Sequence, residues 1–149
     1  MEFMKKQKFG FLANVVVAIM ALVSLGFYIS NVTSAYYQDM NVNVIIMMAG
    51  ALVLLAASMF MPHIAQGVAA AIAVDLLRVG AAVLIILSGA VFIGMRVESF
   101  GYIFASNLEL GNKAAFSAGT QAIVTIILFV VTWIFSLIAS FIEIGEKRA

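Results

Sequence analysis

Asp75 and Arg78 are the two charged residues set deepest in apolar sequence. They stand three apart, a spacing that places them on one helix face and within reach of each other. A carboxylate and a guanidinium in a low-dielectric setting are expected to neutralise each other. An ionisable residue inside a bilayer is a functional candidate by default. The expectation is an intramembrane ion pair that holds helices together, and the competing reading is a substrate or ion site.

A second group lies between residues 95 and 113: Arg96, Glu98, Tyr102, Asn107, Glu109 and Asn112. The stretch 30–41 carries Tyr36, Tyr37, Gln38 and Asp39 and belongs on the same side. These residues are the candidate contact surface for an external ligand or partner, against a reading as a capped, solvated loop pair. A third group, Ser117, Gln121, Thr125, Thr132, Ser136, Ser140 and Glu143, recurs in steps of three, four or seven along the last apolar run. Such a stripe packs and hydrogen-bonds between helices more often than it conducts.

Catalytic equipment is sparse. His63 is the only histidine and sits beside Pro62 at a turn, and there are no cysteines. No H-E-x-x-H, G-x-S-x-G or Gly-rich phosphate loop is present, and no metal-ligand set. The reading is therefore no enzyme, no catalytic residue, no metal and no cofactor. A net charge of +1 without interleaved basic and aromatic residues argues against nucleic acid.

The elements that must position these groups follow from composition. The chain is 65% hydrophobic and only 10% charged over 149 residues. Soluble domains are about 45–50% apolar, and a soluble chain this short cannot hide so much apolar surface in one core. The apolar runs are long enough to span hydrocarbon, which takes about 20 residues. In lipid such runs must satisfy their backbone groups internally and so become helices. The alternating pattern of a transmembrane barrel is absent. The predicted spans are 9–29, 42–61, 68–95 and 114–142. Pro62 is expected to stop the second, and the short link 62–67 makes the second and third an antiparallel hairpin. The fold class is an all-α membrane four-helix bundle, one domain over 1–149, with a short structured extracellular segment between helices three and four. The run 9–29 exceeds a signal-peptide core and reads as a retained first helix.

Lys5, Lys6 and Lys8 precede the first span, and Lys147 and Arg148 follow the last. The lysine and arginine bias places both ends in the cytoplasm of a cell whose plasma membrane the chain crosses. Asn31-Val32-Thr33 is a formal glycosylation sequon pressed against the membrane surface, and is not expected to be used. Asn14, aligned with Ala18, Ala21 and Tyr28, is expected to bond across to another helix. Trp133 is expected to pack against a neighbour. Asp75, Ala82, Gly89 and Arg96 recur every seven residues, with Ala90-x-x-x-Gly94 as a second small pair. Arg78 and Arg96 are separated by about 27 Å of helix, close to a hydrocarbon thickness of about 30 Å. They are expected either to snorkel at the two interfaces or, for Arg78, to lie paired inside. Phe100, Ile103, Phe104 and Leu108 have the spacing of an amphipathic surface helix. Ser106-x-x-Glu109 fits a capping box, which would instead start a short turn there; Gly111 reads as a stop, and Asn112 as the N-cap of helix four.

The order Arg96-Val-Glu-Ser-Phe-Gly101, then Ser106-Asn-Leu-Glu-Leu-Gly-Asn-Lys-Ala-Ala115, then a last helix bearing Gln121, resembles uncharacterised four-helix integral membrane proteins of Gram-positive gut bacteria. Those proteins are encoded near sugar uptake systems. The resemblance covers helices three and four. It implies a link to solute uptake and supplies no catalytic residue. Together these readings lead to an accessory or interaction protein of the cytoplasmic membrane, partnered by the bilayer and by other membrane subunits or itself. A small oligomeric channel or transporter is the alternative, with a membrane enzyme behind it.

Overall fold

The computed structural model describes residues 2–142, with side chains from Phe9 onward. The side chains of Lys5, Lys6 and Lys8, and residues Glu143, Lys147 and Arg148, fall outside that description. Four helices form in order: α1 (Glu2–Val32), α2 (Val42–Ile64), α3 (Val68–Phe104) and α4 (Lys113–Ser140). Each contains a stretch long and apolar enough to cross a membrane. Successive helices run antiparallel and pack side by side, and α4 closes the ring against α1. The α2–α3 contact is the most extensive and the α1–α2 contact the least.

The distribution of side chains is reversed relative to a soluble bundle. Ile46, Val53 and Leu76 are more than 60% exposed, whereas Asn14, Asn31, Arg78, Arg96, Thr125 and Thr132 are buried. Large apolar residues facing outward around a polar-studded interior are costly in water and natural in hydrocarbon, where interhelical polar contacts hold helices together. The pattern points to a multi-pass membrane protein independently of helix length.

Helix boundaries depart from the sequence expectation in several places, α1 beginning at Glu2 and reaching Val32. Pro62 does not end α2, which runs two residues further to Ile64. Its missing N–H falls in the last turn, where loss of one helical bond is tolerated most easily. α3 does not end at Met95. It continues unbroken to Phe104, so the aromatic segment is an extension of α3 and not a separate surface helix. No proline interrupts it, and Ile103 and Phe104 rest on α4, within 3.1 Å of where a Cβ on Gly119 would stand. Ser106 and Glu109 lie in a short turn, as their spacing suggested. Ser106 Oγ accepts from Leu108 N at 3.3 Å within a turn, and Gly111 takes a positive φ of 82° there. Asn112 caps α4 as expected, its side chain accepting from Ala114 N and Ala115 N at 3.1 Å.

Close helix approach rests on small residues. A Cβ on Gly89 would stand 3.1 Å from Phe129 Cβ, so α3 and α4 meet almost backbone to side-chain root. Ala82, Gly89 and Arg96 of the seven-residue stripe are all buried, but Asp75 is exposed. Ala90 and Gly94 face outward, and a Cβ on Gly94 would meet nothing within 4 Å.

Candidate functional site

The polar groups of the interior gather into two nodes, one at each end of the bundle, each built on an arginine of α3 and an asparagine of α1. At the end bearing the two longer connections, Arg96 is wholly buried. Its Nη1 and Nη2 donate to the two oxygens of Asp39 at 2.6 and 2.8 Å, and its Nε donates to Asn31 Oδ1 at 3.0 Å. The guanidinium lies 3.6 Å from the Tyr37 ring centroid and 5.0 Å from that of Phe92. Asn31 Nδ2 donates onward to Ala118 O on α4 at 2.9 Å. This forked geometry matches the planar guanidinium to a carboxylate, and the ring faces supply cation–π attraction.

The connection 33–41 is folded for this purpose. Gln38 takes φ 47°, an uncommon conformation for a side-chain-bearing residue. It allows Tyr37 and Asp39, on either side, to address the same guanidinium. Tyr37 Oη shares a hydrogen bond with Ser99 Oγ at 3.1 Å. Tyr28 Oη donates to Asn41 O and accepts from Asn41 N, both at 2.9 Å. Tyr36 Oη donates to Glu109 Oε1 at 3.0 Å, and Asn112 Nδ2 to Glu109 Oε2 at 2.7 Å. Burial, reinforced by the Glu109 hydrogen bond, pushes the Tyr36 hydroxyl above its ordinary value. The first connection is thus sewn to α3 and to the α3–α4 turn.

At the other end Arg78 is 1% exposed. Its Nε donates to Asn14 Oδ1 at 3.3 Å. Nη1 donates to Ile142 O at 2.8 Å and Ser140 O at 3.5 Å, and Nη2 donates to Ala139 O. Asn14 Nδ2 donates to Ser58 Oγ on α2 at 3.0 Å. Arg78 therefore gathers the last carbonyls of α4, where a cation also meets the negative end of the helix dipole. One node links all four helices.

This arrangement corrects two expectations. The Asp75–Arg78 ion pair does not form: the one salt bridge among the described residues is Arg96–Asp39, and Asp75 is exposed while Arg78 points inward. Three residues of helix leave the two side chains about 60° apart around the axis, and carbonyls of α4 compete successfully for the guanidinium. Neither arginine snorkels, since both face the bundle interior. Asp75→Asn should consequently change the unfolding free energy by less than about 0.5 kcal/mol. A loss in thermal-melt stability as large as that of Arg78→Met would restore the ion pair.

Part of the helix-four stripe packs between helices and part bonds within its own helix, while Ser117 is exposed and Glu143 lies outside the described residues. Thr125 Oγ1 donates to Gln121 O at 2.8 Å, Thr132 Oγ1 and Ser24 Oγ share a bond at 3.0 Å, and Gln121 Nε2 donates to Ser30 Oγ at 2.8 Å. Ser136 Oγ is the one buried side-chain polar atom without a partner among the described residues. Trp133 packs against the core, and Asn14 bonds across as its position on α1 suggested. Of the proposed contact residues, Arg96, Asp39, Tyr36, Tyr37, Glu109 and Asn112 are held by one another. Glu98 and Tyr102 pair on the surface at 2.6 Å, and Asn107 is exposed at the turn.

Asn31 is the node residue the sequence reading missed, having treated it only as a sequon. The available signal was spacing: Asn14 to Asn31 is 17 residues and Arg78 to Arg96 is 18, so two asparagines and two arginines recur at matched intervals on the first and third helices, which an up-down bundle sets parallel. Its burial and its bonds on both amide atoms leave no acceptor for glycosylation. Comparison with protein families, curated proteins and solved structures gives no match for this chain.

Proposed function

We propose that this protein is an accessory subunit of the cytoplasmic membrane that works by contact with other membrane proteins, with both termini cytoplasmic and the 33–41 and 105–112 connections outside. The observation that carries this reading is the filled interior. Phe92, Phe129, Met48, Leu55 and Ile85 are fully buried at its centre, and the buried arginines, asparagines, Ser24, Ser58 and Thr132 are committed to interhelical bonds. A single chain then offers no aqueous path, and its polar groups hold the bundle in one arrangement. What remains free is surface. At the tip of the α3–α4 turn Leu108 and Leu110 are 75% and 82% exposed, next to the exposed Asn107. Exposed apolar residues rimmed by polar ones suit a protein contact.

The test is twofold. Purified protein in liposomes should give no solute or ion flux. In membranes, affinity capture in mild detergent should recover a defined partner or self-complex that a Leu108→Asp, Leu110→Asp variant loses while its melt is unchanged. Partner-free flux that Thr125→Phe blocks in a folded protein would establish the oligomeric channel instead.

A further inference from the structure

Asp75 belongs to the seven-residue stripe of α3 whose other members, Ala82, Gly89 and Arg96, are buried, yet Asp75 is exposed. The reason is where α4 stops. Gly89 packs on Phe129 of α4, and Arg78 binds the carbonyl of Ser140, the last residue of that helix. From Arg78, α3 extends back to Val68, about 15 Å of helix past the end of α4. Asp75 lies about one turn into that uncovered stretch. Its surroundings are apolar: Val68, Ile72, Leu76 and Val79 are all at least half exposed. On α1, Asn14 marks the level of Arg78, and exposed apolar surface continues from there to Phe9, about 7.5 Å further along the helix. Asp75 is only about 4.5 Å from Arg78 in the same direction. The carboxylate therefore stands within the apolar belt and on its outer side. Ionisable groups at such depth are costly and pair with an opposite charge. Among the described residues, no cation lies within ion-pair distance of Asp75.

We propose that the side of α3 that α4 leaves uncovered is the docking face for a membrane helix of a partner protein, one that carries a lysine or arginine at the depth of Asp75. The proposal rests on the accessory role and names the chemistry of the partner. Charge and surroundings select it together. The partner's apolar side chains cover Val68, Ile72 and Val79, and its cation neutralises Asp75. A second copy of the chain fits less well, because its described cations are elsewhere. Arg78 and Arg96 are buried in their nodes, and Lys113 opens α4 at the opposite end of the bundle.

The experiment offers the full chain, in mild detergent, a synthetic apolar helix of about 20 residues with a single lysine about one turn from its end, or the same peptide with glutamine there. Retained peptide is read by native mass spectrometry. The lysine peptide should be held about tenfold more tightly than the glutamine peptide, the size of one interhelical polar contact between model membrane helices. Asp75→Asn should remove that preference at an unchanged melting midpoint, whereas Leu108→Asp, Leu110→Asp should leave it in place. Should Asp75→Asn melt early, the two peptides on the unaltered protein decide alone. Equal retention of both peptides by the unaltered protein overturns the proposal, as does a preference that survives Asp75→Asn in a folded protein. A preference seen only after residues 143–149 are removed overturns it in favour of the chain's own end. A dimer of the chain that Asp75→Asn dissociates overturns it in favour of a second copy. Capture through Leu108 and Leu110 without any lysine preference would remove the docking face and leave the accessory role standing.

Discussion

Replacing Arg96 with methionine should lower the unfolding free energy of the detergent-solubilised protein by about 2–4 kcal/mol. Methionine keeps the apolar stem and removes the guanidinium. Asn31 Oδ1 then becomes a buried acceptor without its donor, at a cost of about 1–3 kcal/mol. Tyr37 loses the cation beneath its ring, worth about 0.5–2 kcal/mol. The total stays below the about 3–5 kcal/mol expected for breaking a fully buried ion pair, because the Asp39 side chain is 40% exposed and keeps part of its hydration. Asp39→Asn should also destabilise, by leaving a buried cation without its anion. The double variant should be milder than the sum of the two single changes. Equilibrium unfolding followed by Trp133 fluorescence measures the cycle. Strict additivity would mean that the fork at 2.6 and 2.8 Å contributes no coupling.

Gly89→Leu should also destabilise, for a steric reason. The added Cβ would stand 3.1 Å from Phe129 Cβ, an atom at the root of its side chain that cannot swing away, and the rest of the leucine must go into the same gap. Overpacking of this kind typically costs about 1–3 kcal/mol and more when backbones must separate. Helix propensity opposes it by only about 1 kcal/mol. Gly50→Ala provides the contrast: its Cβ would meet Leu84 Cδ1 at 3.2 Å, the far end of a flexible side chain, so this variant should be nearly neutral. The expected melting order places Gly89→Leu well below Gly50→Ala. Equal midpoints would show that α3 and α4 part at Gly89 without penalty.

Helix positions were largely legible because the signal is length: apolar runs bounded by Asn41, Asn112 and polar turns leave few alternatives in lipid. The end of α3 was less so. The pattern of Phe100, Ile103 and Phe104 announces a helix, but whether it continues α3 or lies flat depends on Gly119 and Phe116 across the gap, which a local pattern does not contain. The nodes were the least legible. Arg78 stands three residues from a carboxylate, the most visible partner in sequence, yet binds Asn14, 64 residues away, and backbone carbonyls of α4. A carbonyl acceptor leaves no mark in the sequence, because every residue carries one. Arg96 and Asp39 were both chosen as external contact candidates, and the structure joins them to each other.

The two α1 asparagines have a consequence for how the chain is put together. Their arginine partners lie 64 and 65 residues downstream. When α1 enters the bilayer, neither donor yet exists, and the α1–α2 contact that comes first is the weakest of the four. Helix insertion and helix association are separable stages in a membrane. In this chain α1 cannot complete its native polar contacts until α3 has followed. The firm early unit is the α2–α3 hairpin. A chain released after α2 carries Asn14 and Asn31 without their arginines, Asn14 with only its bond to Ser58 on α2. Arg78 supplies Asn14 first and Arg96 then supplies Asn31, while Asn31 Nδ2 and the Arg78 guanidinium wait further for carbonyls that only α4 and its end bring, so the nodes close in the order in which the helices arrive.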